Sequence, residues 1–376
     1  MNALIQSEFQ LDNDIYYLNH AAVSPLPARS GLALKAFADE NVHQGALEYP
    51  NWMVIESRLR QRLASLTGSP SVDDIALTKN TSEALSFVAH GFPWKNGDNV
   101  VISNEEFPSN RVVWQSLATI GVTVRQVSLR DVKDPEQALI DACDKHTRLL
   151  SISSVQYASG LKMDLEKLGL LCKKHNIAFC VDAIQGLGIM PHHVQEMNID
   201  FLMADGHKWM LGAEGLAVFY CSEKWRSLMR LHEFGWHMTD NYHDFDATDW
   251  RPADSARCFE CGSPNILGTI VLDASLSLIE EVTVSRIESL ILEKSEYLFD
   301  RVNQSPALEL ITNNSEGRYA GIVVFRHKQK DSKTLYESLM KHKVVCAHRG
   351  GGIRFSPHFY TSNDVLDKAI KLVLSV

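Results

Sequence analysis

One lysine in this chain follows directly on an apolar, strand-like segment. It is Lys208, within Asp205-Gly206-His207-Lys208-Trp209. A lysine amine in such a position can form a Schiff base with a carbonyl compound and then move protons. Since most lysines are plain surface residues, the interpretation depends on which other reactive side chains the chain places at comparable positions.

Two further segments carry side chains that fit the same chemistry. Asp182 also ends a strand-like run, AFCVDA, and Thr81-Ser82-Glu83 lies where a loop opens into a helix. A helix start with hydroxyl side chains offers free N–H groups and a positive dipole end, which suit a phosphate group. Taken alone, Thr81-Ser82-Glu83 is equally an ordinary helix cap.

Together, the amine, the carboxylate and the anion-binding helix start match the requirements of pyridoxal 5′-phosphate (PLP). Lys208 would hold the cofactor as a Schiff base. Asp182 would keep the pyridine nitrogen protonated, so that the ring remains a strong electron sink. Thr81, Ser82 and His207 are the candidate donors to the phosphate, which carries about −1.5 to −2 charges near neutral pH.

The elements that must position these residues alternate between strands and helices. Such alternation predicts βαβ units and a mostly parallel sheet covered on both faces, with ligands bound beyond the carboxyl ends of the strands. The predicted strands are Asp98–Ser103, Gly121–Val127, Arg148–Val155, Ile177–Asp182, Ile199–Asp205 and Leu216–Cys221. The predicted helices between them are Ser82–His90, Ser109–Ile120, Pro135–Lys145 and Leu165–His175.

The later part of the chain has a different pattern. From about Glu233 to Pro264 the sequence is aromatic and rich in His and Asp, without periodicity, and long loops of this kind are usually functional. Its residues Trp236, His237, Tyr242 and Trp250 are candidates to line a substrate pocket. A smaller α+β domain is predicted after it, with a long helix at 265–303, a strand at 321–326, a helix at 332–342 and a strand near 352–356.

Composition excludes several classes of function. The chain has 376 residues, 45% of them hydrophobic, and a formal net charge of −9, which argues against general nucleic-acid binding. Neither a signal peptide nor an apolar run long enough to span a membrane is evident. The seven cysteines are scattered rather than arranged as a disulfide framework, so a reduced, cytoplasmic protein is expected.

Seven segments, in order along the chain, resemble the class V aminotransferases of PLP fold type I, the family of cysteine desulfurases and isopenicillin N epimerase-like proteins. The order of the set is more specific than any one segment. The segments are Asn80-Thr81-Ser82-Glu83-Ala84, Glu106-Phe107-Pro108-Ser109-Asn110, Val155-Gln156-Tyr157-Ala158-Ser159-Gly160, Val181-Asp182-Ala183-Ile184-Gln185, Asp205-Gly206-His207-Lys208-Trp209, Phe259-Glu260-Cys261-Gly262-Ser263-Pro264-Asn265 and Ile353-Arg354-Phe355-Ser356.

The resemblance implies a fold and an assembly. A large PLP-binding domain, residues 21–254, would contain a mostly parallel seven-stranded sheet covered by helices. Residues 1–20 and 255–376 would form the smaller α+β domain. The protein would be a homodimer with shared active sites, whose small-molecule substrate is an amino acid or amine, with no nucleic-acid or membrane partner.

The resemblance also implies roles for individual residues. Lys208 is the Schiff-base lysine, Asp182 pairs with the pyridine nitrogen, and Thr81, Ser82 and His207 hold the phosphate. Four more residues complete the implied cofactor site: Gln185 at the ring hydroxyl oxygen, Phe107 stacked on the ring, Gln156 near that hydroxyl or the substrate, and Ser263 reaching the phosphate from the partner subunit. Arg354 would clamp the substrate carboxylate.

Simpler interpretations of these residues stay open at this point. Gln185 also suits a polar helix start, Ser263 a turn before Pro264, and Phe107 ordinary core packing. Arg354 would also fit a surface ion pair beside the flexible turn Gly350-Gly351-Gly352.

Three departures from the family pattern affect the expected activity. Desulfurases usually stack a histidine where this chain has Phe107, which cannot exchange protons. They also carry a nucleophilic cysteine in a loop well before the arginine, whereas here the nearest one is Cys346, in an apolar strand-like stretch eight residues before Arg354. Asp205 replaces a serine or threonine that contacts phosphate in many relatives; because a carboxylate would repel phosphate, we assign Asp205 no ligand role.

Metal binding is not expected. Cys258-x-x-Cys261 lacks the second pair of ligands that a structural zinc site needs. The His192-His193 pair fits a solvated connection.

The sequence leaves several functions in competition. We expect a PLP-dependent enzyme, first an aminotransferase, and next an epimerase or a C–S or C–C lyase (isopenicillin N epimerase-like, cysteine desulfurase or kynureninase-like). A non-catalytic PLP-fold binding protein ranks lower, because Lys208, Asp182 and Arg354 are intact. A nucleotide-dependent oxidoreductase ranks lowest, since Gly186-Leu187-Gly188 lacks the third glycine of the dinucleotide fingerprint.

Overall fold

Strands and helices alternate from Ile75 to Asp182 in the computed structural model, which describes residues 2–130 and 132–376. The strands are β1 Tyr16–Tyr17, β2 Ile75–Thr78, β3 Asn99–Ser103, β4 Thr123–Val127, β5 Thr147–Ser153, β6 Ala178–Asp182, β7 Phe201–Asp205, β8 Ala217–Cys221, β9 Leu308–Leu310, β10 Val323–His327, β11 Val344–Val345, β12 Ala347–Arg349 and β13 Gly352–Phe355. The α-helices are α1 Asn2–Glu8, α2 Ala28–Gln44, α3 Tyr49–Thr67, α4 Thr81–Gly91, α5 Ser109–Gln115, α6 Pro135–Asp141, α7 Leu165–His175, α8 Glu223–Arg226, α9 Ile266–Val282, α10 Val284–Asn303, α11 Ser332–Lys341 and α12 Asn363–Ser375.

A seven-stranded sheet forms the centre of the molecule, in the order β2-β8-β7-β6-β5-β3-β4. The neighbouring pairs from β7 through β4 are parallel, while β8 runs antiparallel to both β7 and β2. Every residue of β3, β5 after Arg148, β6, β7 and β8 is buried, as expected for strands covered on both faces. The predicted mostly parallel seven-stranded α/β fold is therefore confirmed.

The register of this sheet brings two acidic side chains to one edge. Asp182 is the last residue of β6 and Asp205 the last residue of β7. Because β6 and β7 are parallel neighbours, both carboxylates emerge at the same, carboxyl-terminal edge. All six predicted strands are present, and no end is shifted by more than two residues; β2, at only four residues, was not predicted.

One predicted helix is wrong in its length. The segment 265–303 is not a single helix but two, α9 and α10, separated at Thr283. Thr283 has φ 72° and ψ 139°, outside the helical region, and its hydroxyl accepts a hydrogen bond from the Arg286 N–H at the start of α10. The β-branched run Val282-Thr283-Val284 has low helix propensity. The hydrogen bond from the Arg286 N–H to the Thr283 hydroxyl, which caps α10, is therefore favoured over a continuation of α9.

Two other helices end earlier than predicted. The predicted 109–120 helix is α-helical only to Gln115 and continues as a 3₁₀ turn to Ile120. The predicted 135–145 helix ends at Asp141. Both changes lie away from the edge that carries Asp182.

A second, antiparallel sheet follows in the order β12-β13-β10-β9, with α10 and α11 packed against it. Its core contains Phe325, Leu335 and Phe355. Arg354 lies on β13, opposite Val324 of β10 and Ala347 of β12. The division of the chain at residues 20/21 and 254/255 stays a prediction.

No helix in the described part of the chain combines the length and apolar character needed to cross a bilayer.

Candidate active site

Lys208 lies three residues beyond β7 and is largely enclosed. Its Nζ is 5.6 Å from the centre of the Phe107 ring. Burial, together with the nearby positive charge of Arg354, lowers the pKa of Lys208 to about 8 against the opposing effect of Asp182 and Asp205. An amine with this pKa is substantially neutral in mildly alkaline solution, so it can act as a nucleophile or a base.

Asp182 faces the same space from the end of β6. Its side chain is buried, and its Oδ1 accepts a hydrogen bond of 3.1 Å from the Ile184 N–H. Burial, with a smaller contribution from the nearby Glu106, raises the pKa of Asp182 to about 7, although the Ile184 N–H and Lys208 act to lower it. A buried carboxylate of this kind is stabilised in its ionised form by a cationic partner, such as a protonated pyridine nitrogen.

The start of α4 supplies the predicted phosphate end of the site. Asn80 caps the helix, its Oδ1 accepting from the Glu83 N–H at 2.9 Å. Thr81 is buried and its hydroxyl forms no hydrogen bond to any described residue. The Ser82 hydroxyl donates to Ser109 at 2.7 Å. The helix start therefore has the polar groups that were predicted to face a phosphate.

Asp205 joins this helix start to His207. Its Oδ2 accepts from the Thr81 N–H at 3.1 Å, and its Oδ1 lies 3.9 Å from Nδ1 of His207. That Nδ1 is buried and has no hydrogen-bond partner among the described residues. Thr81, His207 and Lys208 are thereby brought to one end of the site, with a carboxylate between them.

Phe107 covers the site beside Lys208. Its ring makes an edge-on contact with Tyr157, with ring centres 5.1 Å apart at 85°. The side chain is 41% exposed, so ordinary core packing does not describe it. The predicted stacking of Phe107 on a cofactor ring is consistent with this open ring face and stays a prediction.

Gln185 is held by the protein at both ends of its amide. Its Nε2 donates to the Ala21 carbonyl at 3.0 Å, and its Oε1 accepts from the indole N–H of Trp209 at 2.9 Å. One Nε2 hydrogen remains for a further acceptor. The predicted bond to the ring hydroxyl is therefore compatible with the geometry, and the contact with Trp209 also fixes the residue next to Lys208.

Glu106 is a buried carboxylate beside the site to which the sequence interpretation gave no role. This buried carboxylate accepts hydrogen bonds from the Ser153 N–H and hydroxyl, from Asn110 Nδ2 at 2.7 Å and from Gln156 Nε2 at 2.7 Å. Burial raises the pKa of Glu106, against the effect of these donors. Because Glu106 precedes α5, which begins at Ser109, no helical spacing signalled this network, and its partners Ser153 and Gln156 are distant in the sequence.

The orientation of Gln156 follows from this network. The indole N–H of Trp114 only donates, so Asn110 Oδ1, which accepts it at 2.8 Å, is an acceptor and Asn110 Nδ2 must donate to Glu106. Gln156 likewise presents its Nε2 to Glu106. Its buried Oε1 is left without a partner among the described residues.

Arg354 brings a buried positive charge to the site. It is 3% exposed, donates to the Tyr157 carbonyl at 2.8 Å, and has an Nε with no partner among the described residues. Burial lowers the pKa of Arg354 to about 10, an effect reinforced by Arg349. The surface-ion-pair alternative is wrong because the side chain is buried. A guanidinium with free donors fits the predicted clamp on a carboxylate.

Ser263 lies on the loop that precedes α9. It is exposed, and it lines a cavity with Lys79, Glu83 and Cys261. No hydrogen bond joins it to Thr81, Ser82 or His207 within the described residues. Its predicted role in the site of a partner subunit is therefore not tested by the single chain.

The aromatic loop forms a separate cavity of about 420 Å³. Of the four loop residues proposed from the sequence to line a pocket, Trp236, Tyr242 and Trp250 line this cavity. Phe234 and Phe245 line it as well. His237 does not line this cavity; it is buried beside Glu260, 3.8 Å from its Oε2, because the loop folds back onto α3. Since neither Lys208 nor Arg354 lines the cavity, its use as a substrate pocket of the same chain has no support.

Glu56, His237 and Glu260 form a buried cluster with the spacing of metal ligands. The guanidinium of Arg60 lies within the cluster, 2.7 Å from both carboxylates. The cluster therefore already contains a compensating cation. It ties the loop to α3, and to β2 through the Leu77 N–H, which donates to Glu260.

The buried polar atoms of this site match the groups of PLP. The Thr81 hydroxyl and His207 Nδ1 face the phosphate end, Gln156 Oε1 is free beside the Glu106 network, and Arg354 Nε is free on the side of the small sheet. With Asp182 and Lys208, these residues would hold the cofactor.

Comparison with known proteins agrees with this fit. The sequence profile of the family described as "Aminotransferase class-V" matches residues 16–361. A protein of Methanothermobacter thermautotrophicus named "probable cysteine desulfurase" is 28% identical over 383 residues, which cover 96% of this chain and 94% of the relative.

Solved structures show the same fold. The cysteine desulfurase CsdA of Escherichia coli superposes with a TM-score of 0.88 at 20% identity, covering 99% of this chain and 97% of that one. The cystine C-S lyase C-DES, solved with its reaction product cysteine persulfide, also gives a TM-score of 0.88, at 21% identity, covering 96% and 98%.

The lowered pKa of Lys208 leads to a pH prediction. Attachment of PLP to the apo-protein requires the neutral amine, so its rate at saturating PLP should rise with pH to a midpoint at about 8. Arg354→Gln removes a positive charge and should move this midpoint up, while Asp182→Asn removes a negative charge and should move it down. Stopped-flow absorbance would measure the rates.

Arg326→Gln is the matched control, because Arg326 is an exposed arginine paired with Glu309 on the outer sheet. It should leave the midpoint unchanged. A wild-type midpoint near the ordinary lysine pKa of about 10.4 would contradict the assigned environment of Lys208.

Proposed function

The chain belongs to the class-V aminotransferase family of PLP-dependent enzymes, and from this premise we propose that it cleaves a carbon–sulfur bond at the β-carbon of an amino acid. The sequence alone favoured an aminotransferase, with a C–S lyase among the alternatives. The desulfurase relative supports the lyase instead. The observation that carries the proposal is that burial raises the pKa of every cysteine thiol, whereas the lowered pKa of Lys208 leaves its amine available for proton transfer.

Different residues of the chain have different roles in such a reaction. PLP, when bound, supplies an electron sink for the negative charge that develops on the substrate Cα. Arg354 binds the substrate carboxylate and so orients the Cα–H bond toward Lys208. Lys208 Nζ takes up the Cα proton, and Asp182 keeps the ring nitrogen protonated. Phe107 shields the site from water without exchanging protons.

The cysteines argue against sulfur transfer to the protein. Burial raises the pKa of all seven thiols, to about 11 for Cys143 and about 12 for Cys258 and Cys346, and above the ordinary value for Cys172, Cys180, Cys221 and Cys261. A thiol nucleophile needs its thiolate form, which a raised pKa disfavours. The sulfur is therefore expected to leave into solution.

Elimination accounts for every atom in this case. Lys208 removes the Cα proton, the Cβ–S bond breaks with its electron pair on sulfur, and the sulfur leaves as a thiol or as sulfide after taking a proton. Water then releases the remaining carbon skeleton as a 2-oxo acid and ammonia. For cysteine the products are sulfide, pyruvate and ammonia.

Transamination is the second candidate. It also requires only one proton-transfer group, and Lys208 can supply it. Epimerisation is disfavoured because it needs proton delivery from a second group, and Phe107 occupies the position of the family's histidine. Amino transfer would depend on an added 2-oxo acid, whereas elimination would not.

The elimination proposal predicts that no cysteine is essential. Cys346→Ser and Cys261→Ser should each retain activity within about twofold, because neither thiol carries sulfur. The measurement is release of pyruvate together with sulfide from cysteine, or together with cysteine persulfide from cystine, beside the same assay with an amino acid and a 2-oxo acid.

Cys172→Ser, in α7, is a control for removal of a buried thiol outside the site. Loss of sulfide release in Cys346→Ser or Cys261→Ser, with the PLP absorption band intact, would indicate a persulfide carrier. Amino transfer to a 2-oxo acid without sulfide release would replace the lyase by the aminotransferase.

We also propose that the enzyme is a homodimer with shared sites. Three aromatic side chains of the loop are strongly exposed: Phe245 is 81% exposed, Phe234 61% and Trp250 56%. Exposed aromatic groups next to each other are characteristic of protein interfaces. Ser263 lies exposed on the same loop, where it can reach a second copy.

Mixed dimers would test the sharing. Lys208→Ala and Ser263→Ala should each lower PLP retention alone. In a heterodimer of the two, one site carries both changes and the other carries neither, so one tightly bound PLP per dimer is expected. The measurement is PLP content after gel filtration at limiting cofactor.

If Ser263 acts within its own chain, each site of the mixed dimer carries one change, and tight binding is not regained. A monomeric mass for the wild-type protein would remove the dimer proposal itself.

A further inference from the structure

Asp205 occupies part of the helix start where a phosphate is expected. Its carboxylate accepts the hydrogen bond of the Thr81 N–H, the first amide of α4, at 3.1 Å. Asn80 accepts from the Glu83 N–H. Two of the first three amides of this helix therefore already have acceptors, and one of these acceptors is an anion.

A second anion at this helix start would meet electrostatic opposition. The dipole of a helix is equivalent to about half a positive charge at its N-terminus, less than one carboxylate carries. Asp205 is only 8% exposed, so water screens its charge poorly. A phosphate of about −1.5 to −2 charges placed here needs a compensating proton or cation.

His207 is the group that can supply this proton. Its Nδ1 lies 3.9 Å from Asp205 Oδ1, is buried, and has no hydrogen-bond partner among the described residues. The Thr81 hydroxyl, likewise buried and without such a partner, lies one residue from the Asn80 cap. A protonated imidazole between a carboxylate and a phosphate would satisfy both.

We propose that Asp205 and His207 form a proton-dependent phosphate clamp, in which Asp205 opposes the cofactor phosphate until His207 is protonated. This inference rests on the proposed use of PLP. It gives Asp205 a part in cofactor affinity, where the sequence interpretation assigned it no ligand role. Binding of the phosphate group then takes up one proton.

The surroundings of His207 fix the sign of the pH dependence. Burial lowers the pKa of His207, as does Lys208, while Asp205, Glu214 and a hydrogen bond to the backbone of Ala22 raise it. Helix α4 faces it with the neutral Thr81. The imidazole of the free site is therefore mainly neutral near pH 7, and an arriving phosphate raises its pKa. Phosphate affinity should fall as pH rises, because protonation becomes harder.

The test compares PLP with pyridoxal, which forms the same bond to Lys208 but has no phosphate. The ratio of their dissociation constants, measured by absorbance titration of the full-length apo-protein between pH 7 and 9, isolates the phosphate contribution. Titration of Lys208 affects both ligands and cancels. The phosphate remains dianionic over this range, since its second pKa is about 6.

In the wild type, the preference for PLP over pyridoxal should fall by up to about tenfold per pH unit, as linkage to one proton requires. Asp205→Asn keeps an acceptor for the Thr81 N–H and removes only the charge. It should strengthen the preference at pH 9 by about tenfold or more and flatten its pH dependence. His207→Gln should give a weak preference without pH dependence.

Asp164→Asn is the matched control, because Asp164 caps α7 by accepting from the Lys167 N–H, as an acid at a helix start away from the site. It should reproduce the wild type. An unchanged or weaker PLP preference in Asp205→Asn would overturn the clamp. Equal binding of PLP and pyridoxal by the wild type, or binding of neither, would instead contradict the proposed use of PLP.

Discussion

The site depends on a few buried charged side chains near one edge of the central sheet, because their charges set the pKa values of Lys208 and Asp182. Lys208, Asp182 and Arg354 are all withdrawn from water, and each alters the protonation of another. Burial alone would neutralise the lysine, the form that acts as nucleophile and base, and would also protonate the aspartate, which could then no longer stabilise a protonated pyridine nitrogen. Their proximity restores part of the charge on each. The pKa of Lys208, about 8, and that of Asp182, about 7, are the result of this balance.

The fold maintains these pKa values by fixing the backbone positions of charged residues that come from different strands and from both sheets. Asp182 and Asp205 end neighbouring parallel strands, so the register of β6 and β7 sets their separation. Arg354 comes from the second sheet, and its bond to the Tyr157 carbonyl connects that sheet to the segment after β5. Glu106 joins the same segment to α5 through Asn110, Ser153 and Gln156. A shift of either sheet would therefore change the charges that act on Lys208.

The sequence was sufficient for the central sheet, because strand periodicity is a local signal. Its short motifs also identified side chains that the structure brings together near the carboxyl-terminal edge of that sheet, and their roles stay predictions. It was insufficient where the outcome depends on contacts between distant segments. Glu106 accepts a hydrogen bond from Gln156, and the Gln185 amide donates to the Ala21 carbonyl; in both cases the partners are far apart in the chain. The break at Thr283 depended on a side-chain cap competing with an apolar helical pattern. The burial of His237 beside Glu260 depended on how an aperiodic loop folds back.

The central claim is that Lys208 anchors PLP in this chain, and the visible absorption spectrum of the purified protein tests it most directly. The wild type should be yellow, with the band of a lysine-linked cofactor, and the band should change when a suitable amino acid is added. Lys208→Ala should lack the lysine-linked band even with added PLP, while remaining folded. A wild-type protein that stays colourless with added PLP, or a Lys208→Ala protein with the same band and activity as the wild type, would contradict the account.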